Sequence, residues 1–283
     1  MVLDYDKLMA WHFPEVSRDY GVADSIAFAR GFGAGTGGQM AKSDRPYLRP
    51  VAPLAMPMIA VPLCDGEFWQ QHPDTGIEWR QIIHAEEALT VHAPLPASGT
   101  VRIAQRIVDI FDRGEGKGAV MLQEQSVRSG AGHLLATIDV TTILRGNGGF
   151  GGKPYQSGRL KMPDERAPDA SIELHAAVEA DAIFKLSADI VAAAGAPRGK
   201  SMMRGVGCFG TAGRALLALA CDNQPSRLKK LAVRYTGPMF TGETLRVEMW
   251  RVEAGRALFR MLAPERGDAP VLDNCLVDFS EDA

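Results

Sequence analysis

One apolar helix decides the fold of this chain. Residues 204–221 read RGVGCFGTAGRALLALAC. Apolar residues recur along this stretch at helical spacing, at Ala212, Ala215, Leu216 and Leu219. The helix is expected to end near Cys221, because the next four residues, Asp-Asn-Gln-Pro, favour a turn. So little polar surface predicts a buried central helix, with other elements wrapped around it.

Strands of alternating polarity follow this helix. Residues 231–235 are followed by a Gly-Pro turn, and residues 243–249 place Leu, Val and Met on one face with Arg and Glu on the other. This period of two is typical of an antiparallel strand with one buried face. The first half of the chain repeats the plan, because a Pro/Gly turn at 94–99 leads into a strand from Thr100. An early helix over residues 25–31, with Asp24 as its N-cap, would be the counterpart of the central helix.

A glycine-rich loop at residues 146–152 separates these two halves. A polar, Pro-containing stretch follows it and is typical of a linker. We therefore predict an N-terminal unit at 1–153, a linker at 154–170 and a C-terminal unit at 171–283. Each unit would wrap an antiparallel sheet around one helix, so the predicted class is α+β and the predicted architecture is a double hot dog.

Composition excludes several classes of function. The 283 residues carry a formal net charge of -3, which does not suit a broad nucleic-acid surface. The four cysteines form no C-x-x-C pair, so buried reduced thiols are expected and neither a metal site nor a disulfide framework is predicted. No apolar run reaches the roughly 20 residues needed to span a bilayer. We predict a cytoplasmic protein with no membrane association and no nucleic-acid partner.

The order of these segments resembles the hydratase-2, or MaoC-like, enoyl-CoA hydratases. Residues 204–246 are similar to the C-terminal half of that family, and residues 82–153 are similar to its N-terminal half. The resemblance covers about residues 15 to 280. It implies a double hot-dog fold, an acyl-CoA thioester as ligand, and a setting in β-oxidation or related fatty acid metabolism. It also implies a dimer, with itself or with another MaoC-like chain, and no cofactor, since CoA is part of the substrate.

Five positions match ligand-contacting positions of the family. They are His84, Ala85, Arg113, Gly205 and Tyr235. Arg113 could pair with a CoA phosphate, and His84 could donate a hydrogen bond near the mouth of an acyl-CoA tunnel. Two simpler interpretations stay open, in which Arg113 is a solvated turn residue and His84 is an ordinary sheet residue. The chain departs from the family at Ala85, where Gly is usual, and at Glu87, where Gln is usual.

The catalytic segment of the family is incomplete here. Hydratase-2 enzymes carry an Asp-x-Asn-Pro-x-His run, and its Asp and His activate one water. Residues 186–195 read LSADIVAAAG, so only Asp189 matches and neither the Asn nor the His is present. By resemblance, Asp189 is the candidate base. The amide of Gly205, at the start of the central helix, is the candidate oxyanion donor.

Three cations, Arg198, Lys200 and Arg204, stand where the family has a neutral approach to the water. They form either an anion site or a solvated loop, and the second interpretation is favoured.

Three functions remain open. The first is binding of 2-enoyl-CoA or 3-hydroxyacyl-CoA, with (R)-specific hydro-lyase activity if the site is active. The second is a catalytically silent acyl-CoA-binding protein, or an inactive partner of an active hydratase. The third is an altered enzyme on the same scaffold, such as a thioesterase or a dehydratase of another CoA ester.

Overall fold

Ten antiparallel strands form one continuous sheet in the computed structural model, which describes residues 3–36, 40–49, 54–184, 196–197 and 199–281. The strands are β1 Val16–Tyr20, β2 Ile82–Val91, β3 Gly99–Asp112, β4 Ala119–Ser129, β5 Leu134–Leu144, β6 Ala170–His175, β7 Leu228–Arg234, β8 Thr244–Glu253, β9 Arg256–Ala263 and β10 Ala269–Phe279. The described helices are α1 Tyr5–Met9, α2 Val22–Gly31, α3 Met40–Ser43, α4 Ala60–Leu63, α5 Ala180–Ile183 and α6 Gly205–Ala220.

The two halves of the sheet have the same strand order. The full order is β1-β3-β4-β5-β2-β7-β10-β9-β8-β6, so the last five strands repeat the order of the first five in reverse. β2 and β7 pair antiparallel at the centre, with Glu87 opposite Val233 and Leu89 opposite Leu231. The double hot-dog architecture is confirmed, and its two five-stranded sheets are joined edge to edge into one. The division of the chain at residues 153 and 170 stays a prediction.

The central helix α6 is buried along nearly its whole length. It ends at Ala220 with Cys221 as its C-cap, as the sequence predicts, and Asp222 and Asn223 then adopt positive φ angles. Its glycines permit close packing. An added Cβ would lie 2.0 Å from the ring of Phe32 at Gly210 and 2.5 Å from Met58 at Gly213. Residues of the first half therefore press directly on the helix of the second half.

The predicted cap of the early helix is wrong. α2 begins at Val22 with Gly21 as its N-cap, and Asp24 occupies the third helical position. The Asp24 carboxylate accepts a hydrogen bond of 2.8 Å from the Gly21 amide. An acidic side chain three residues after the N-cap satisfies the N-cap amide in this way, so Asp24 still stabilises the helix start.

The segment 83–87 carries two of the predicted ligand-contacting residues, His84 and Ala85. These residues lie inside β2, where a bulge falls between His84 and Glu86. A bulge adds a residue to one strand and re-aims the side chains beside it. Glu87 and Leu89 follow the bulge and lie two residues apart, so they share one face of the strand, and both are buried, with Glu87 only 4% exposed.

A carboxylate organises the glycine loop between the two halves. The turn after β3 places Asp112, whose carboxylate accepts hydrogen bonds of 2.7–2.8 Å from the amides of Gly114, Gly149 and Gly151. Burial raises the pKa of Asp112, but these backbone donors outweigh burial and the net pKa is lowered. The glycine-rich loop is therefore held by hydrogen bonds to the buried carboxylate of Asp112.

Candidate active site

A cavity of about 190 Å³ lies at the N-terminus of α6. Its wall is built from three separate parts of the chain, the segment after α4, the bulged start of β2 and the first turn of α6. The lining residues are Val61, Asp65, His84, Glu87, Arg204, Gly205 and Val206.

Two backbone amides at the start of α6 donate no hydrogen bond to any described residue. Gly207 and Cys208 donate to the carbonyl of Arg204, whereas the amides of Gly205 and Val206 have no acceptor in that part of the chain. The first amides of any helix lack intrahelical partners, and the helix dipole adds partial positive charge there. This end of the cavity can therefore stabilise a negatively charged oxygen.

Gly205 permits a close approach at the same point. A Cβ there would lie 3.1 Å from the Tyr235 ring, tighter than ordinary contact. The Tyr235 hydroxyl lies 2.6 Å from Glu87 Oε2 and 3.1 Å from the Gly205 carbonyl oxygen. One hydroxyl hydrogen serves one acceptor at a time, and the shorter contact to a carboxylate is the stronger one. Tyr235 therefore connects the start of α6 to β2.

Glu87 is a buried carboxyl without a lysine or arginine partner among the described residues. Burial raises its pKa, while His84, with Nε2 4.0 Å from Oε2, and the Tyr235 hydrogen bond lower it in part. Burial also raises the pKa of Tyr235 well above its ordinary value, and the Glu87 charge adds to this. Tyr235 therefore remains a neutral donor, and Glu87 takes up a proton more readily than an exposed glutamate does.

The cations predicted near the cavity are paired in the structure. Arg204 donates to both carboxylate oxygens of Asp65, at 2.9 and 3.2 Å, and Lys200 lies 3.3 Å from Glu265. Arg198 lies outside the described residues. Since the two described cations already have carboxylate partners, they do not form a free anion site, and Arg204 acts as one wall of the cavity.

Four of the five predicted ligand-contacting residues lie together. His84 packs edge-on against Tyr235 with ring centroids 5.0 Å apart, and the Ala85 carbonyl accepts from the Tyr235 amide at 3.0 Å. Gly205 completes the group. Arg113 does not join it, because it is exposed on the turn between β3 and β4 and does not line the cavity. The ligand contacts themselves stay predictions, and Asp189 lies outside the described residues.

Glu87 and Asp65 are site residues that the sequence analysis missed. Glu87 was noted only as a departure from the family, yet it stands two positions before buried Leu89 in a strand of alternating polarity. A charged residue on the buried face of a strand is itself a signal of function. Asp65 carries no such signal, because its loop is 139 residues away from Arg204 in the chain.

The described residues lack two kinds of feature. No helix in that part of the chain is long and apolar enough to span a membrane. The same residues contain no group of three or more His, Cys, Asp or Glu side chains that could hold a metal ion. The four cysteines are free, and three of them are buried.

Comparison with known proteins identifies the family. Profiles of the MFE-2 hydratase 2 N-terminal domain and of the MaoC like domain match residues 49–146 and 151–267. A 3-hydroxyacyl-thioester dehydratase Y of Mycobacterium tuberculosis is 33% identical over 248 residues, 84% of each chain. An enoyl-CoA hydratase of the same organism is 30% identical over 96% of this chain and 97% of its own length. The chain belongs to the MaoC-like enoyl-CoA hydratase family.

A solved structure agrees with this fold. The MaoC-like dehydratase of Phytophthora capsici superposes with a TM-score of 0.83 at 22% identity, covering 99% of both chains. The two proteins therefore share their architecture over nearly the whole chain, including both five-stranded halves.

Proposed function

We propose that this protein binds 2-enoyl-CoA and 3-hydroxyacyl-CoA thioesters at the cavity and interconverts them as a hydro-lyase. The observation that carries the proposal is a pair of α6 amides without an acceptor among the described residues, at Gly205 and Val206, two residues that line a cavity with a buried carboxyl. Addition of water to the β-carbon of an enoyl thioester places negative charge on the thioester oxygen. Helix amides aimed at that oxygen stabilise it in a site with little water.

The relatives support the choice of thioester. Their names describe a 3-hydroxyacyl-thioester dehydratase and an enoyl-CoA hydratase, which are the two directions of one reaction. We further propose that the reaction belongs to fatty acid metabolism of the β-oxidation type, and that the protein is cytoplasmic. We also propose that the chain forms a dimer with itself or with another MaoC-like chain, and that the reaction uses no cofactor beyond the CoA of the substrate.

Asp189 is the base that the family resemblance proposes. Replacement by alanine tests it, since loss of a general base typically lowers the rate by roughly a hundred- to ten-thousand-fold. Unchanged turnover in Asp189→Ala would remove Asp189 from the mechanism and leave the cavity as the place of reaction.

A silent acyl-CoA-binding protein is the second candidate. It is favoured by the absence of the Asn and His that the family uses beside its Asp. Such a protein would keep the amides of α6 for binding a thioester oxygen, and it could serve as the inactive partner of an active hydratase.

Hydration of crotonyl-CoA and of a longer 2-enoyl-CoA tests the proposal. Loss of the enoyl-thioester absorbance reports turnover, and calorimetry with 3-hydroxybutyryl-CoA reports binding. Turnover with binding supports the hydro-lyase, and binding without turnover supports the silent protein. Absence of both contradicts the proposed function.

A further inference from the structure

We propose that Glu87 is the proton-transfer residue of this hydro-lyase, in place of the water-activating Asp and His pair, of which the chain lacks the His. The inference rests on the proposed function, because it assigns a step of that reaction. It concerns a residue that departs from the family pattern, so the family's usual machinery does not supply it.

One carboxylate oxygen of Glu87 has no hydrogen-bond partner among the described residues. Glu87 Oε2 accepts the Tyr235 hydroxyl at 2.6 Å, whereas Oε1 accepts no hydrogen bond from any described residue. The side chain is 4% exposed, and it lines the same cavity as Gly205 and Val206. A substrate whose thioester oxygen meets those amides therefore has its reacting carbons beside Glu87.

A purely structural role does not account for this carboxyl. Taking a carboxylate out of water costs several kcal/mol unless a charge partner and hydrogen bonds compensate. The nearest arginine, Arg204, is already paired with Asp65, and His84 lies no closer than 4.0 Å. Glutamine has the same shape, is neutral, and could keep the Tyr235 hydrogen bond. A buried, incompletely satisfied acid in a cavity is typical of a functional group.

The groups around Glu87 come from four elements. His84 lies on β2, Tyr235 follows β7, Asp65 follows α4 and Arg204 precedes α6, and all four act on its charge. Asp65 raises the pKa of Glu87 and its ion-pair partner Arg204 lowers it, so the two effects largely cancel. Burial remains the main cause of the raised pKa.

Two thiols complete the surroundings of Glu87. Burial raises the pKa of Cys208 to about 12 and that of Cys64 still further, so both stay protonated and neutral at ordinary pH. The Glu87 carboxyl differs from these thiols, because its raised pKa lets it change charge above the ordinary glutamate value while they stay neutral.

Tyr235 provides a partner for both protonation states of Glu87. Its hydroxyl donates to the ionised carboxylate at 2.6 Å, and it can turn to the Gly205 carbonyl oxygen at 3.1 Å. In the second position the phenolic oxygen can accept a hydrogen bond from a protonated Glu87. The site can therefore hold the proton between the two halves of the reaction.

Proton transfer through Glu87 balances the reaction. Ionised Glu87 accepts a proton from water as the water oxygen bonds to the β-carbon, and the π electrons move to give an enolate whose oxygen meets the α6 amides. Protonated Glu87 then donates that proton to the α-carbon, the thioester carbonyl re-forms, and the carboxylate is regenerated. The net change is addition of one water, and dehydration is the reverse.

Comparison of Glu87→Gln with Glu86→Gln in the full chain tests the proposal. Glu86 is the neighbouring residue on the same strand, and its carboxylate pairs with Arg234 at 2.5 Å and does not line the cavity. We expect Glu87→Gln to lower kcat for crotonyl-CoA by roughly a hundred- to ten-thousand-fold. Calorimetry should give the same Kd for 3-hydroxybutyryl-CoA in both variants, and Glu86→Gln should keep the wild-type kcat.

A pH profile separates proton transfer from a structural role. Wild-type kcat/KM should rise as Glu87 ionises, at a pH above the ordinary glutamate pKa of about 4.3. Tyr235→Phe removes a hydrogen bond that lowers the Glu87 pKa, so the rise of kcat/KM in this variant should move to higher pH. An unmoved rise would contradict the assignment.

The outcomes are distinguishable. If the wild type is active and Glu87→Gln is equally active, the inference is overturned and the proposed function stands. The same holds if activity is lost only in Asp189→Ala. Wild type that binds 3-hydroxybutyryl-CoA but hydrates nothing overturns the inference and the hydro-lyase together. Wild type that neither binds nor hydrates overturns the whole proposed function.

Discussion

At the scale of single residues, the buried face of β2 carries an acid where an apolar or amide side chain would be more stable. Glu87 has a raised pKa in the folded protein, because burial disfavours its charge. A carboxyl whose folded pKa lies above its unfolded value binds more protons in the folded state, so it weakens folding as pH rises between those two values. Function and stability therefore oppose each other at this position.

Replacing Glu87 by glutamine should stabilise the protein at neutral pH. The variant removes the cost of burying a charge and retains a polar partner for Tyr235. Its advantage should shrink as pH falls and disappear below about 4.3, the ordinary glutamate pKa, where the wild-type carboxyl is neutral in both states. Urea unfolding of both proteins at pH 7 and in mild acid measures this. A less stable Glu87→Gln at neutral pH would contradict the account.

Part of this site can be predicted from the sequence, and there are physical reasons why the rest cannot. His84, Gly205 and Tyr235 were predicted by resemblance, and the structure brings them together. Glu87 was within reach of the alternation rule, because it stands two positions before Leu89, but the sequence alone does not show which face of this strand is buried. Asp65 could not be found, because only the folded chain brings its loop to Arg204.

At the scale of elements, the glycines of α6 determine how closely the two halves pack. Glycine costs helix stability relative to alanine, by roughly 1 kcal/mol in a helix interior. Here packing contacts offset that cost. Phe32 occupies the space that a side chain at Gly210 would need, and Met58 does the same at Gly213. The apolar periodicity predicted the helix and its end correctly, whereas no local pattern shows which residues pack on its glycines.

Gly210→Ala should destabilise the protein despite its better helix propensity. The new Cβ would lie 2.0 Å from the buried Phe32 ring, and overpacking of this kind typically costs about 1–3 kcal/mol. Chemical denaturation measures the change. Gly158→Ala is a matched control, since nothing lies within 4 Å of a Cβ there. Equal stability of the two variants would show that Phe32 moves aside freely.

Asp112→Ala should loosen the glycine loop. The carboxylate accepts from three loop amides, and a hydrogen bond to a charged group typically contributes a net of about 1.5–3 kcal/mol. Because the Asp112 pKa is lowered in the fold, its contribution is present above the ordinary aspartate pKa and is lost as pH falls through the lower, folded value.

Hydrogen exchange at Gly149 and Gly151 measures that loosening. Exchange should be faster in Asp112→Ala than in Asp74→Ala, which changes an exposed aspartate elsewhere in the first half. Unchanged protection at both glycines would exclude Asp112 as the residue that holds the loop.

At the scale of the whole molecule, two of the contacts between the repeated halves are a strand pairing and a buried ion pair. One is the β2–β7 pairing at the centre of the sheet, and the other is a buried ion pair between Arg214 of α6 and Asp44 of the first half. Their closest atoms, Arg214 Nη2 and Asp44 Oδ2, are 2.7 Å apart, and the Arg214 side chain is 1% exposed. The sequence showed the duplication through its Pro/Gly turns. It could not show this pairing, since the ion pair spans 170 residues.

Asp44→Ala should strongly destabilise the folded chain. Removing one partner of a buried pair leaves an uncompensated charge, which typically costs about 3–5 kcal/mol. Denaturant unfolding followed by tryptophan fluorescence measures the loss. Asp164→Ala, which breaks an exposed pair with Arg260, should change stability by no more than about 1 kcal/mol. Similar small losses in both variants would mean that the buried pair does not join the halves.

A crystal structure of Glu87→Gln with crotonyl-CoA tests the central claim most directly. The account predicts the thioester oxygen within about 3 Å of the Gly205 or Val206 amide, a normal hydrogen-bond distance, with the double bond beside residue 87. A thioester oxygen that contacts neither amide, as with an acyl group bound among Asp139, Lys230 and Asn274 of the second groove that Glu87 lines, would contradict it.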